Sequence, residues 1–516
     1  MKKIFFAVAI LVVALATTGC TKLLLSEPRG SDASLAQVEE NVDALDVSLK
    51  GLYSIMYTGS DESDAEFTSR PGYMIEGQKY IDVMSDMLAS DAACSTNNFR
   101  WLTGRTYMDE YLSLSDFNNW LWKYEYNNIR NANSLIARCN VVLDNSSSPQ
   151  SLKEHALLVK AQAVIMRAHF YSNLFNFYVK PGDTSGKFGI IYHDETDMNQ
   201  EKGLSDYNEV VTKVIASTQE AIGQIAGLEN TSKVGLDANI AKMILAYIHL
   251  NRGRFFDENT KTESCTEALR LAKEVIDATK TTNPILPYAE VLTNGFNNIN
   301  SRNWMWGVDV TPETTKYLYC FFSFVDVYTY SYASVGEYAG IDDGLYGKFD
   351  EMLDAKDRRK EWWTKDLFLN NTHFYYVANN KFFDKKRIFQ GDRDWTNDYC
   401  FMRSEEAYLI AAEAAYALGN EAEAKTYLKE LVAQRSPDNL NAIDALTGDK
   451  LKDYIAANWR IECWLEGRTF MALKRFKWET VRGNNHFYHK GRKLDFNSKY
   501  FYFEIPDGEK NYNPYL

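Results

Sequence analysis

Apolar residues recur at helical spacing along most of the chain, and the clearest instance is residues 401–435, FMRSEEAYLIAAEAAYALGNEAEAKTYLKELVAQR. Leu409, Ala412, Ala415, Tyr416 and Leu418 follow the helical period, Gly419-Asn420 interrupts it, and Ala424, Tyr427, Leu428 and Leu431 resume it. The pattern predicts a helical hairpin. Ala411, Ala412, Ala414, Ala415 and Ala417 are small enough to let a neighbouring helix come close. Two such helices cannot bury their apolar faces alone, so others must cover them.

The same period predicts further helices. Residues 35–57 carry Val38, Val42, Leu45, Leu49 and Leu52 on one stripe, and residues 116–140 carry Trp120, Tyr124, Ile129 and Leu135. Ser151-x-x-Glu154 reads as a capping box opening a helix over 152–178, and Asp206-x-x-Glu209 caps another that runs to about Ile225. Residues 237–251 and 264–278 form a pair split by a polar stretch at 254–263. From 281 to 398 the helical period is lost: Trp304-x-Trp306-x-Val308-x-Val310 alternates like a strand, a Tyr-rich run spans 317–338, and Trp362, Trp363, Tyr375, Tyr376 and Trp395 follow. The expected fold is mainly α, a tetratricopeptide-like array of helical hairpins with an aromatic-rich, loop-rich insertion. A rigid array displays recognition residues on such irregular excursions.

Other features narrow the class. Residues 1–20, MKKIFFAVAILVVALATTGC, pair a basic start with an apolar run too short to span a membrane, which marks residues 1–19 as an export signal. Thr17-Thr18-Gly19-Cys20 resembles a lipobox, which makes Cys20 the expected lipidated residue, followed by a tether over 20–34 and a single domain over 35–516. The net charge of −13 repels phosphate backbones and argues against nucleic-acid binding. Cys94, Cys139, Cys265, Cys320, Cys400 and Cys463 lack any C-x-x-C spacing and are expected to be mostly buried free thiols. Aromatic residues make up 14% of the chain, with 33 Tyr leading, which suits wet binding surfaces as well as a helical core.

The segments MRSEEAYLIAAEAAYALGN, LKDYIAANWRIECWLEGRTFMALKRFKW and YFYFEIPDGEKNYNPYL resemble the C-terminal signature of the SusD-like (RagB/SusD) family, over residues 399–516. Trp122, Tyr126, Ile129 and Asn133 match that family's early W-x-x-x-Y-x-x-I-x-x-x-N helix, and are read as packing residues. The family usually carries Glu-Arg-Arg where this chain has Asn458-Trp459-Arg460. The resemblance implies a non-catalytic, lipid-anchored outer-membrane protein facing the cell exterior. It would capture an oligosaccharide or polysaccharide for a TonB-dependent outer-membrane transporter, without a cofactor.

Sugar rings lie with their C–H faces on indole or phenol rings while their hydroxyls bond to Asn, Asp and Arg. On that chemistry, and on the family's use of an N-terminal loop, Trp101 with Asn97, Asn98 and Arg100 is the leading candidate site, joined by Tyr328, Tyr330, Trp363 and Trp395 of the insertion. No H-E-x-x-H, G-x-G-x-x-G, Walker loop or G-x-S-x-G is present. His486 and His489 read as an exposed pair, and Asp392-x-Asp394-x-x-x-Asp398 as a solvated acidic turn rather than a calcium loop. Glu462 falls on an apolar stripe with Asn458 and requires an arginine, with Arg403 and Arg468 as candidates. The alternatives to a glycan binder are a surface glycoside hydrolase, whose two carboxylates no spacing in the sequence picks out, and a helical-repeat scaffold that binds protein.

Overall fold

The computed structural model describes residues 42–58, 77–96 and 111–516. The export signal, Cys20 and the tether therefore lie outside the described residues, as do Asn97, Asn98, Arg100 and Trp101.

Helices α1 (Val42–Thr58), α2 (Gln78–Leu88), α3 (Asp116–Asp144), α4 (Gln150–Tyr178), α5 (Tyr207–Gln224), α6 (Ala238–Asn251) and α7 (Lys261–Thr279) make up the first part of the array. After the insertion come α8 (Glu405–Ala417), α9 (Glu421–Ala433), α10 (Gly448–Glu462) and α11 (Thr469–Phe476). Each helix from α3 to α9 packs against the next in the series, and α7 meets α8 although residues 280–404 separate them in sequence. The tetratricopeptide-like stack thus continues across the excursion as if the chain were unbroken. The longest pair is α3 and α4, each 29 residues and so about 43 Å long at 1.5 Å per residue.

Local chemistry sets the ends of these helices. Asp206 accepts a hydrogen bond from the Glu209 backbone N–H at 3.0 Å, as its spacing predicts, and Asp237 does the same for Ile240 at 2.8 Å. The box predicted at Ser151 does not form. Pro149 takes the N-cap position of α4, which places Ser151 inside the first turn, and Glu154 accepts from the Gln150 amide instead. Between α8 and α9, Gly419 adopts φ 80° and Asn420 caps Glu423, so the predicted break is a left-handed turn followed by a side-chain cap.

The insertion is built from short strands. Strand β1 (Ala92–Cys94) pairs with β3 (Ala339–Ile341), and β3 with β5 (Thr372–Ala378), whose hairpin partner is β4 (Trp363–Leu369). The hairpin turns at Asn370 and Asn371, both with positive φ, as a tight two-residue turn requires. The alternation read at Trp304 is strand β2 (Trp304–Val308), paired antiparallel with β6 (Tyr399–Arg403), so the predicted hairpin region starts with a strand before α8 begins.

One large core runs through the array, and a small satellite of Val327, Ala333, Tyr338, Phe374 and Val377 sits under the insertion, with Leu367 and Leu369 against it. Every residue of α2 is buried, including Lys79, Asp82 and Asp86. Gly467 lets the start of α11 approach it: a Cβ there would lie 2.4 Å from Asp82 Oδ1. All six cysteines described are buried free thiols. No helix among the described residues is long and apolar enough to cross a membrane.

Candidate functional site

Two of the arginine-centred clusters among the described residues bear on a site: one is closed, and the other lies beneath rings that reach solvent. The first surrounds Glu462 near the end of α10. Its carboxylate meets Arg403 at 2.7 Å, Arg435 at 2.7 Å and Arg359 at 3.0 Å. Glu405 bridges Arg403 and Arg435, Glu466 bridges Arg403 and Lys381, and Asp357 meets Arg359 at 2.6 Å. Four cations face four anions. Each side chain is 7% exposed or less. Burial alone would raise the Glu466 carboxyl, but Arg403 and Lys381 hold it down at about 2. Glu462 is likewise held well below the usual carboxylate range against the effect of its burial, by Arg435 and Arg403.

This cluster corrects one assignment made from the sequence. Arg403 does pair with Glu462, but Arg468 turns to Glu406 at 2.7 Å, and Arg359 and Arg435 complete the shell. Asn458, where the resembled family has Glu, accepts from Arg359 at 2.9 Å, and Arg460 donates through Nε and Nη2 to the carboxylate of the buried Asp91. With no open face and every charge matched, the cluster is a structural clasp.

The second cluster holds the loops at residues 326–335 and 384–397, which contain no regular helix or strand beyond one 3-10 turn. They run past each other with backbone bonds from Tyr330 N–H to Gly391 O at 3.3 Å and from Gln390 N–H to Tyr328 O at 3.2 Å. Arg393, fully buried, donates to the carbonyls of Asp326, Thr329 and Tyr330 and to the Asp326 carboxylate at 2.9 Å. Asp326 also accepts from the backbone N–H groups of Tyr328 and Asp384. Asp384 in turn accepts from Asn397 and from the N–H groups of Lys386 and Asp394; burial pushes its carboxyl up while Asn397 and Arg393 offset part of that.

On this frame stand rings that reach water. Tyr330 is 57% exposed and Phe389 44%, while Tyr328 and Trp395 are half-buried. Phe389 packs edge-on to Tyr328 with centroids 5.3 Å apart, the Arg387 guanidinium lies 5.4 Å from the Tyr328 ring, and that of Arg393 lies 5.8 Å from Trp395. Such half-open rings, with Arg387 beside Tyr328, can offer π-faces and hydrogen bonds to a ligand.

Of the residues singled out from the sequence, Tyr328, Tyr330 and Trp395 are therefore carried on these two loops, the last two beside Arg393. Trp363 is not. It is 2% exposed and wedged edge-on against Trp464 and Trp362, because it begins a strand whose inner face packs on the core. Phe389 stands beside Tyr328, and its signal in the sequence is an Ile388-Phe389 pair set among charged residues in a loop. His486 is buried against Asp342 at 3.0 Å rather than exposed, and Asp398 spends its carboxylate on the N–H groups of Ile299 and Val310 in the interior rather than in a solvated turn. Among the described residues no group of three or more His, Cys, Asp or Glu is placed to hold a metal ion. A polar cavity of about 50 Å³ lies deep between α2, α4, α6 and α11, lined by Gln78, His169, Asn173 and Arg468 among others. It has room for a few waters and none for a sugar ring.

Comparison with known proteins agrees with this architecture. The family model described as "SusD family" matches residues 330–516, and the one described as "Starch-binding associating with outer membrane" matches residues 74–234. No curated protein matches the chain. A SusD-like carbohydrate binding protein from Bacteroides vulgatus superposes with a TM-score of 0.72 at 20% identity, covering 92% of this chain and 97% of its own. A SusD superfamily protein from Bacteroides thetaiotaomicron gives 0.69 at 18% identity, covering 92% and 98%. Bacteroides fragilis NanU gives 0.63 at 14% identity, covering 95% and 98%. These structures share the helical fold, and the two family models, which match opposite ends of the chain, identify this protein as a member of the SusD/RagB family.

Proposed function

We propose that the protein is a non-catalytic, cell-surface lipoprotein that captures an oligosaccharide or polysaccharide and passes it to a TonB-dependent outer-membrane transporter. The observation that carries this reading is the set of rings on these two loops, Tyr330 and Phe389 exposed and Tyr328 and Trp395 half-buried, above a polar frame of their own. Family membership supports the choice of ligand, since one matching model is named for starch binding and outer-membrane association. Trp101, with Asn97, Asn98 and Arg100, is proposed to add a further stacking ring, and Cys20 to carry the lipid. The buried clasp around Glu462 supports the absence of catalysis in this region, because all of its carboxylates are engaged by cations out of reach of a substrate.

Affinity gel electrophoresis against soluble starch and a panel of other polysaccharides, followed by isothermal titration with the best, tests the reading. Binding is expected to fall about ten-fold or more in Tyr330→Ala and in Trp395→Ala, the range of a lost stacking anchor. Unchanged affinity in both variants and in Trp101→Ala removes the site. Release of reducing sugar by the purified protein, abolished by a single carboxylate substitution, replaces the binder with a hydrolase.

A further inference from the structure

We propose that Arg393 is the positioning residue of the ring face: its guanidinium sets where Tyr328, Tyr330 and Trp395 stand relative to one another, without itself touching the ligand. This inference rests on the reading of that face as the saccharide site. Loops 326–332 and 384–397 form no regular strand and are joined by the backbone bonds Tyr330 N–H to Gly391 O and Gln390 N–H to Tyr328 O, so their buried carbonyls require further donors. Arg393 supplies them, gathering the Asp326, Thr329 and Tyr330 carbonyls onto one planar fork while its charge is met by Asp326 at 2.9 Å and by Asp384 at 3.7 Å. Asp326 and Asp384 extend the hold to both loops, through the N–H groups of Tyr328, Lys386 and Asp394. The same guanidinium lies beside the Trp395 ring, whose own carbonyl accepts from Thr315 at 2.5 Å.

The arrangement needs a guanidinium in particular. An ammonium at this position is a point charge with no planar fork, and it cannot meet three carbonyls and a carboxylate in the same directions. The satellite core under the loop, Val327 and Ala333 against Phe374 and Val377, fixes the loop's apolar side. Orientation is thus assigned to the polar side, and to Arg393 as the cation buried within it.

The experiment compares Arg393→Lys and Arg393→Ala with the single ring variants Tyr328→Ala, Tyr330→Ala and Trp395→Ala, in the full lipid-free chain. It uses isothermal titration with the polysaccharide selected above, and amide hydrogen exchange resolved by peptide. For Arg393→Lys we expect affinity to fall about ten-fold or more, with exchange quickening in the peptides covering 326–332 and 384–397 and unchanged in α3 to α9. Millimolar guanidinium is expected to restore part of the affinity of Arg393→Ala and none of that of Tyr330→Ala. Wild-type affinity in Arg393→Lys, or lost affinity with unchanged exchange in both loops, overturns the positioning role. Where Arg393→Ala fails to fold, Arg393→Lys and the triple variant Asp326→Asn/Arg393→Gln/Asp384→Asn, which leaves no buried charge unpaired, carry the same two readouts. Should the three ring variants all bind as the wild type does, the saccharide reading itself falls, a result separable from failure of the Arg393 role.

Discussion

Glu462 and Arg393 each sit at the centre of a buried polar cluster, but the clusters differ in what surrounds them. Around Glu462, three arginines arrive from a 3-10 turn, a strand end and a helix end, and the shell is closed by Glu405, Glu466, Asp357 and Lys381. Around Arg393, the acceptors are mostly backbone carbonyls of loops, and the layer above is a set of rings in contact with water. The first cluster joins regular elements that already have their own hydrogen bonds. The second stands in for regular structure that is missing. Charge chemistry of one kind can therefore brace a frame or shape a binding surface, and the secondary structure around it decides which.

Breaking the first cluster should have the largest effect. Glu462→Ala leaves Arg359, Arg403 and Arg435 short of an anion in the interior, and is expected to cost ~3–5 kcal/mol or to prevent accumulation of folded protein. Denaturant unfolding measures it, and a loss below ~1 kcal/mol would show that the cluster is not the clasp described.

A second test uses the other charges buried between the chain's two ends. Burial pushes the Asp86 carboxyl up to about 7, the hydroxyl of Thr469 offsetting part of this and Asp91 and Asp82 adding to it. A carboxyl raised in the folded state stabilises the protein below its ordinary value near 3.8 and loses that contribution as pH climbs to about 7. Wild-type stability should therefore fall between about pH 4 and pH 7 by on the order of a few kcal/mol more than that of Asp86→Asn, read from paired unfolding curves. Parallel curves for the two proteins would contradict it.

The ring face should behave in the opposite way. Tyr330→Ala removes a side chain that is more than half in solvent, so unfolding should shift by no more than ~0.5 kcal/mol while saccharide affinity drops. Smallest of all is the response expected from the thiols. Burial pushes those of Cys94 and Cys139 up to about 12, and all six described cysteines are enclosed, so an aromatic disulfide reagent should find no fast-reacting thiol among them until the protein is unfolded.

How much of this was legible in the sequence follows the range of the interactions. Helices α8 and α9 were readable because their signals, an apolar period and a Gly-Asn break, act within a few residues. The strand before them was not, since β6 exists by pairing with β2, which lies almost a hundred residues earlier in the chain. The need of Glu462 for a cation could be deduced from its apolar neighbours. Which cations answer it could not, because Arg359 and Arg435 are brought in by tertiary packing, and no periodicity relates them to Glu462. Trp363 and Trp395 look alike as letters in an aromatic-rich segment, and differ only in that one begins a strand over the core and the other sits on a loop.

The clasp also imposes an order of events on a chain that is made from its N-terminus. Arg359, Lys381, Arg403 and Arg435 all precede Glu462 and Glu466, so a growing or translocating chain that stops short of those two carries four of the cations against only Asp357 and Glu405. Such an intermediate cannot desolvate its C-terminal third without stranding positive charge in the interior. Closure of the insertion onto the helical stack is therefore complete only once the last tenth of the polypeptide has been made.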